Sequence, residues 1–143
     1  MNRPATIVMI EDDEGHARLI ERNIRRAGIT NTIVHFSDGA SSYTYFNGLQ
    51  AKPAGSAPIL VLLDLNLPDA SGIDILEYLK KNGHLKVAPV IVLTTTDDEA
   101  EIQRCYDRGC NVYITKPVDY GQFATAIRQL GQFVSVIKIP NPI

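Results

Sequence analysis

Four strand-like runs in this chain each end on a residue able to do chemistry. Thr6 to Ile10 stops at Glu11 and Asp12, Ile59 to Leu63 at Asp64, Pro89 to Leu93 at Thr94, and Asn111 to Thr115 at Lys116. Three carboxylates brought together repel, so the set makes sense around a cation. An all-oxygen set suits Mg²⁺, which keeps several waters and takes one or two carboxylates. The Thr94 hydroxyl and the fixed positive charge of Lys116 complement a phosphoryl group, whose charge spreads over three oxygens. No serine, cysteine or histidine ends any of these four runs. The best placed nucleophile is therefore a carboxylate, Asp64, and its product an aspartyl phosphate.

The elements that must position these residues follow from periodicity. After the first run, Ala17, Ile20, Ile24 and Ala27 recur at helical spacing up to Gly28. Thr32 to Phe36 is strand-like, and Asp38 caps a helix carrying Tyr43, Phe46 and Leu49. Lys52 to Pro58 reads as a loop. Ile59 to Leu63 is continuously apolar, the mark of a strand buried on both faces, and Pro89 to Leu93 is similar. Helices between and after them carry Ile73, Leu76 and Leu79, then Ile102 and Cys105, then Phe123, Ile127, Leu130 and Val134. Strict alternation of strand and helix implies an α/β doubly wound fold, a five-stranded parallel sheet of flavodoxin-like order 2-1-3-4-5. In such a sheet ligands bind outside the carboxyl ends of the strands, where all the residues named above lie.

Composition excludes other classes. The chain has 143 residues, 45% hydrophobic and 21% charged, so it can bury a core without disulfides or metals and is neither disordered nor fibrous. Its 14 basic against 16 acidic residues leave a net charge of -2, which argues against a nucleic-acid partner. The longest apolar run, Ala57 to Leu63, contains Pro58 and falls far short of the roughly 20 residues a membrane helix needs. No secretory leader is read at the start, so a cytoplasmic location is expected. Cys105 and Cys110 match no redox or zinc spacing and read as packing residues. Asp13, Asp38 and Asp97 read as helix caps, and His16, His35 and His84 as surface histidines. Arg18, Arg22, Arg25 and Arg26 form a solvated helix face.

The segments "IVMIEDDE", "LVLLDLNLPDASG", "VIVLTTTDD" and "VYITKPVD" resemble the receiver domain of two-component response regulators over residues 5–134. The segment "LTTTDDEAEIQRCYDRGCNVYITKPVD" is similar to the stand-alone regulators of bacterial phytochrome histidine kinases. The resemblance implies a receiver fold with Asp64 as phospho-acceptor. It implies Mg²⁺ held directly by Asp12 and Asp64, through water by Glu11, and by the backbone carbonyl of Asn66. Thr94 would be the switch hydroxyl, Lys116 the phosphoryl-binding cation, Tyr113 the aromatic switch, Asn66 and Thr96 the residues tuning hydrolysis, and Pro117 a cis-proline. Such a protein takes its phosphoryl group from a sensor histidine kinase and is no enzyme beyond its own phosphotransfer and dephosphorylation. It signals through a change on the surface from strand 4 to helix 5.

The reading makes residues 1–134 the receiver domain with no separate effector domain, so output is expected to pass to a protein partner or the domain to act as a phosphate sink or relay. Residues 135–143 form a β-branched tail, with Val136 to Ile139 either an arm for a homodimer or folded back on its own helix. Two rival readings are weaker. A haloacid-dehalogenase-like phosphatase needs Asp-x-Asp where this chain has Asp64-Leu65-Asn66. An FMN binder needs a phosphate loop where it has four acidic residues, Glu11 to Glu14.

Overall fold

Two apolar strands set the architecture, β3 (Ile59–Leu63) and β4 (Val90–Thr94), every residue of which is buried. Strands covered on both faces must lie in the middle of a sheet, and the computed structural model places them there. It describes residues 5–52, 58–117 and 119–136, with side chains to residue 132. With β1 (Thr6–Ile10), β2 (Ile33–Phe36) and β5 (Val112–Thr115) they form a five-stranded parallel sheet in the order 2-1-3-4-5, as the alternation implies.

The pleat sorts the core into two layers. Ile7 and Met9 of β1 pack with Leu60, Leu62, Ile91 and Leu93 against α1 (Glu14–Arg26) and α5 (Tyr120–Val136). Val8 and Ile10 point the other way, with Val61, Leu63, Val90 and Val92, against α2 (Gly39–Gln50), α3 (Gly72–Lys81) and α4 (Glu99–Asp107). Cys105 and Cys110 are unpaired and buried in this second layer, as their spacing suggested. Among the described residues, no helix is long and apolar enough to cross a membrane.

Several local expectations shift. Thr94 is the last residue of β4 rather than the one after it. A 3₁₀ segment, Gly83–Val87, follows α3 and buries Leu85. Asp13 and Asp38 cap α1 and α2, but α4 is capped by Asp98, not Asp97, because the carboxylate of Asp98 meets the Glu101 N–H one turn on. Helix α5 continues to Val136 and takes in the first two residues assigned to the tail. The remainder of the dimer-arm reading, on 137–143, lies outside the described residues.

The loop from Asp64 to Gly72 is held from three directions. Asn66 and Ser71 bridge across its neck, and the Gly72 N–H donates to the Leu65 carbonyl at 3.0 Å. The Asp69 carboxylate accepts from Gly39 N at 2.7 Å and Ala40 N at 3.0 Å, the free N–H groups opening α2. Those two bonds hold the Asp69 carboxyl below the usual carboxylate range. A Cβ at Gly72 would lie 2.6 Å from both the Asp64 carbonyl oxygen and Leu65 Cα. Both are backbone atoms, so the clash has no side chain to absorb it. Gly72→Ala is expected to lose about 1–3 kcal/mol in urea unfolding, the usual cost of overpacking. Gly48→Ala, on the exposed face of α2 with open space at its Cβ, should instead gain about 0.5–1 kcal/mol.

Candidate functional site

Parallel register brings the strand ends level. Ile10 pairs with Leu63 and Leu63 with Val92, so Glu11 and Asp64 leave adjacent strands side by side. Thr94 pairs with Thr115, and the Lys116 N–H donates to the Thr94 carbonyl at 2.7 Å, which sets the lysine beside the same edge. Carboxylate oxygens of Glu11, Asp12 and Asp64 all lie within 4.8 Å of one another. Two like unit charges at that separation repel by about 3 kcal/mol at an effective dielectric of about 20. Summed over three pairs, this is comparable to the roughly 5–15 kcal/mol stability of an entire domain.

Lys116 offsets part of this repulsion. Its ammonium is buried, forms an ion pair with Glu11 Oε1, and donates to Asp64 Oδ2 at 3.1 Å. Burial pushes the Glu11 carboxyl up to about 7, against the pull of the lysine and with the Asp64 charge raising it further. With all three carboxylates ionised, one ammonium leaves two negative charges uncompensated, the charge of one divalent cation. The donor set, all oxygen and partly open to solvent at Asp12, fits such an ion.

Asp64 is held by both oxygens. Oδ1 accepts from the Asn66 N–H at 3.1 Å while Oδ2 faces Lys116. The Asn66 side-chain amide donates to Thr94 Oγ1 and Thr96 Oγ1, each at 3.4 Å, tying the loop after β3 to the loop after β4. The buried Thr94 hydroxyl therefore lies at the same end of the sheet as Asp64. Tyr113 is half-buried, its hydroxyl donating to the Thr96 carbonyl at 2.6 Å, and burial pushes its phenol up to about 12. Its own N–H, on an edge strand, donates to the Tyr106 hydroxyl of α4 at 3.1 Å.

All the predicted site residues thus meet at one end of the sheet, but one conformation differs. No cis peptide bond occurs among the described residues, so the Lys116–Pro117 bond is trans. The trans form is the lower in energy for most X–Pro bonds, and Lys116 already reaches Glu11 and Asp64 from it, so no turn to cis is required to aim the lysine inward. Sequence reasoning also missed His16, read as a surface residue. Its Nδ1 lies 3.2 Å from Lys116 Nζ, and its ring stacks on Phe123 with centroids 5.4 Å apart. With Lys116, Pro117, Thr95, Tyr120 and Phe123 it lines an open cleft of about 270 Å³ beside the acidic cluster. The available signal was position, since a residue in the first turn of α1 must lie near the end of β1.

Comparison with known proteins gives a consistent result. Residues 7–128 match the response regulator receiver domain family. The crystal structure of a response regulator receiver domain from Rhodospirillum rubrum superposes with a TM-score of 0.91 at 60% identity, covering 96% of this chain and 99% of that one. Response regulator Rcp1 of Synechocystis sp. is 32% identical over 115 residues, 80% of this chain and 78% of that protein. The structure of the Mn(2+)-bound form of Rcp1 has a TM-score of 0.85 at 27% identity, covering 96% and 99%. The phosphorylated cyanobacterial phytochrome response regulator RcpA has a TM-score of 0.85 at 29% identity, covering 97% and 100%.

The charge imbalance predicts stabilisation by metal. Thermal unfolding should move up when MgCl₂ or MnCl₂ is added, by an increment that grows with the logarithm of metal concentration above Kd. Asp12→Asn should abolish most of that increment without lowering the metal-free midpoint. An equal metal response in the variant would refute the assignment.

Proposed function

Since this chain belongs to the response regulator receiver domain family of two-component signalling, we propose that it accepts a phosphoryl group on Asp64 from a sensor histidine kinase. The observation that carries the reading is the state of Asp64, a buried carboxylate fixed through both oxygens within 4.8 Å of Glu11 and Asp12. Glu11, Asp12, Asp64 and the backbone carbonyl of Asn66 would hold Mg²⁺. When bound, the cation supplies positive charge against the phosphoryl oxygens.

Asp64 attacks phosphorus, the bond from phosphorus to the donor nitrogen breaks, and the donor imidazole leaves with that electron pair. The chain's part is to fix the nucleophile and to meet charge. Asn66 N–H and Lys116 orient Asp64 before reaction, so little entropy remains to be lost in the transition state. Phosphorylation replaces the charge of the Asp64 carboxylate with charge on the phosphoryl oxygens, and Lys116 then turns an N–H from Asp64 Oδ2 to one of those oxygens. Thr94 donates to another, leaving its contact with Asn66. Tyr113 gives up the Thr96 carbonyl and turns into the space released, which alters the surface from β4 to α5. Asn66 and Thr96, joined at 3.4 Å over the site, govern how water reaches the acyl phosphate and so its lifetime.

Likeness to Rcp1 and to the phytochrome regulator RcpA supports a phytochrome-type histidine kinase as the donor. Intact-mass spectrometry after acetyl phosphate treatment tests the central step. Wild type should gain one phosphoryl group only with Mg²⁺ or Mn²⁺ present, and Asp64→Asn none. An adduct that persists in Asp64→Asn would place the chemistry elsewhere, and no adduct on folded, metal-loaded wild type would remove the proposed function.

A further inference from the structure

A lysine ammonium carries three donors and no acceptor, and a buried one needs a partner for each. Lys116 finds two in Glu11 and Asp64. The third is His16 Nδ1 at 3.2 Å. Because the ammonium can only donate, this contact selects the imidazole tautomer with a lone pair on Nδ1 and the hydrogen on Nε2. The ring is placed independently of the lysine. Phe123 stacks on it at an interplanar angle of 25°, Tyr120 meets it edge-on with centroids 6.2 Å apart, and Asp13 caps the His16 N–H at 3.0 Å.

We infer that His16 is a positioning residue for Lys116, the anchor about which the ammonium turns from Asp64 to the phosphoryl group. The inference rests on Asp64 being the phospho-acceptor. Of the three acceptors, Asp64 loses its charge when it becomes an acyl phosphate, and Glu11 belongs to the set that would hold the cation. His16 does neither, so it alone keeps its contact unchanged through the cycle. Without it, the lysine retains its charge but not its direction, and a small misplacement of a charge-bearing group slows a reaction steeply.

The test pairs kinetics with a spectroscopic readout. In the reaction with acetyl phosphate, an Asp64 oxygen bonds to phosphorus, the P–O bond to acetate breaks, and acetate leaves with the electron pair. At saturating MgCl₂, His16→Leu, which keeps bulk on Phe123 but has no acceptor, should slow phosphorylation by about tenfold, while His16→Asn, which restores an acceptor near the Nδ1 position, should stay within about threefold of wild type. The Mg²⁺ midpoint should be the same in all three. Long-range ¹H–¹⁵N spectra of the metal-free wild type should show His16 as the Nε2–H tautomer, a readout independent of phosphorylation. Equal rates for wild type and His16→Leu, a His16→Asn variant as slow as His16→Leu, or the Nδ1–H tautomer would each overturn the inference. Failure of wild type itself to be phosphorylated would instead overturn the reading of Asp64.

Discussion

A buried ammonium facing two carboxylates is the interaction on which the rest of this site depends. Lys116 lies at the end of β5 and its partners at the ends of β1 and β3, so the contact exists only if the whole sheet has closed in the correct register. Taking such charges out of water costs several kcal/mol each, and an ion pair returns that only where every donor is met. The cluster is therefore no source of stability. Hydrophobic burial on both faces of β1, β3 and β4 has to carry it, and the uninterrupted apolar runs just before Glu11, Asp64 and Thr94 do so.

The same electrostatics link rest and reaction. A carboxylate trio with a single ammonium is short of positive charge, which favours a divalent cation, and in the proposed reaction that cation would also offset the charge of the incoming phosphoryl oxygens. The hydrogen bonds around the site are made of groups that can change partner. Thr94 and Thr96 share one amide of Asn66, and Tyr113 holds a carbonyl rather than a charged group. Exchanging such neutral bonds costs little, which is what the proposed transmission of a charge change at Asp64 to β5 and α4 would require. Tyr106 extends that path, because its hydroxyl pairs the N–H of Tyr113 on the open edge of the sheet.

Much of this was legible along the chain because strands buried on both faces announce themselves. Ile59 to Leu63 needs no partner to be read as a central strand, and an aspartate directly after it stands at the one edge where doubly wound sheets bind ligands. Glu11, Asp12, Asp64, Thr94 and Lys116 were found in that way, each from a strand and the residue that ends it. The cap of α4 was misplaced by one residue since Asp97 and Asp98 are adjacent, and only the N–H that is met chooses between them.

By itself the sequence determined the order of elements, the sheet topology and which polar groups stand at the strand ends, because hydrophobic period and the residue that ends a strand are local properties. Tertiary structure decided what those groups touch. That His16 is Lys116's third acceptor depends on helix α1 and strand β5 meeting across a separation of 100 residues. That Asp69 ties the loop after β3 to α2 likewise depends on an approach of about 3 Å between distant segments, and that Gly72 admits no Cβ depends on how that loop closes on itself. No local pattern encodes such distances, since they follow from how the layers pack once the sheet has formed.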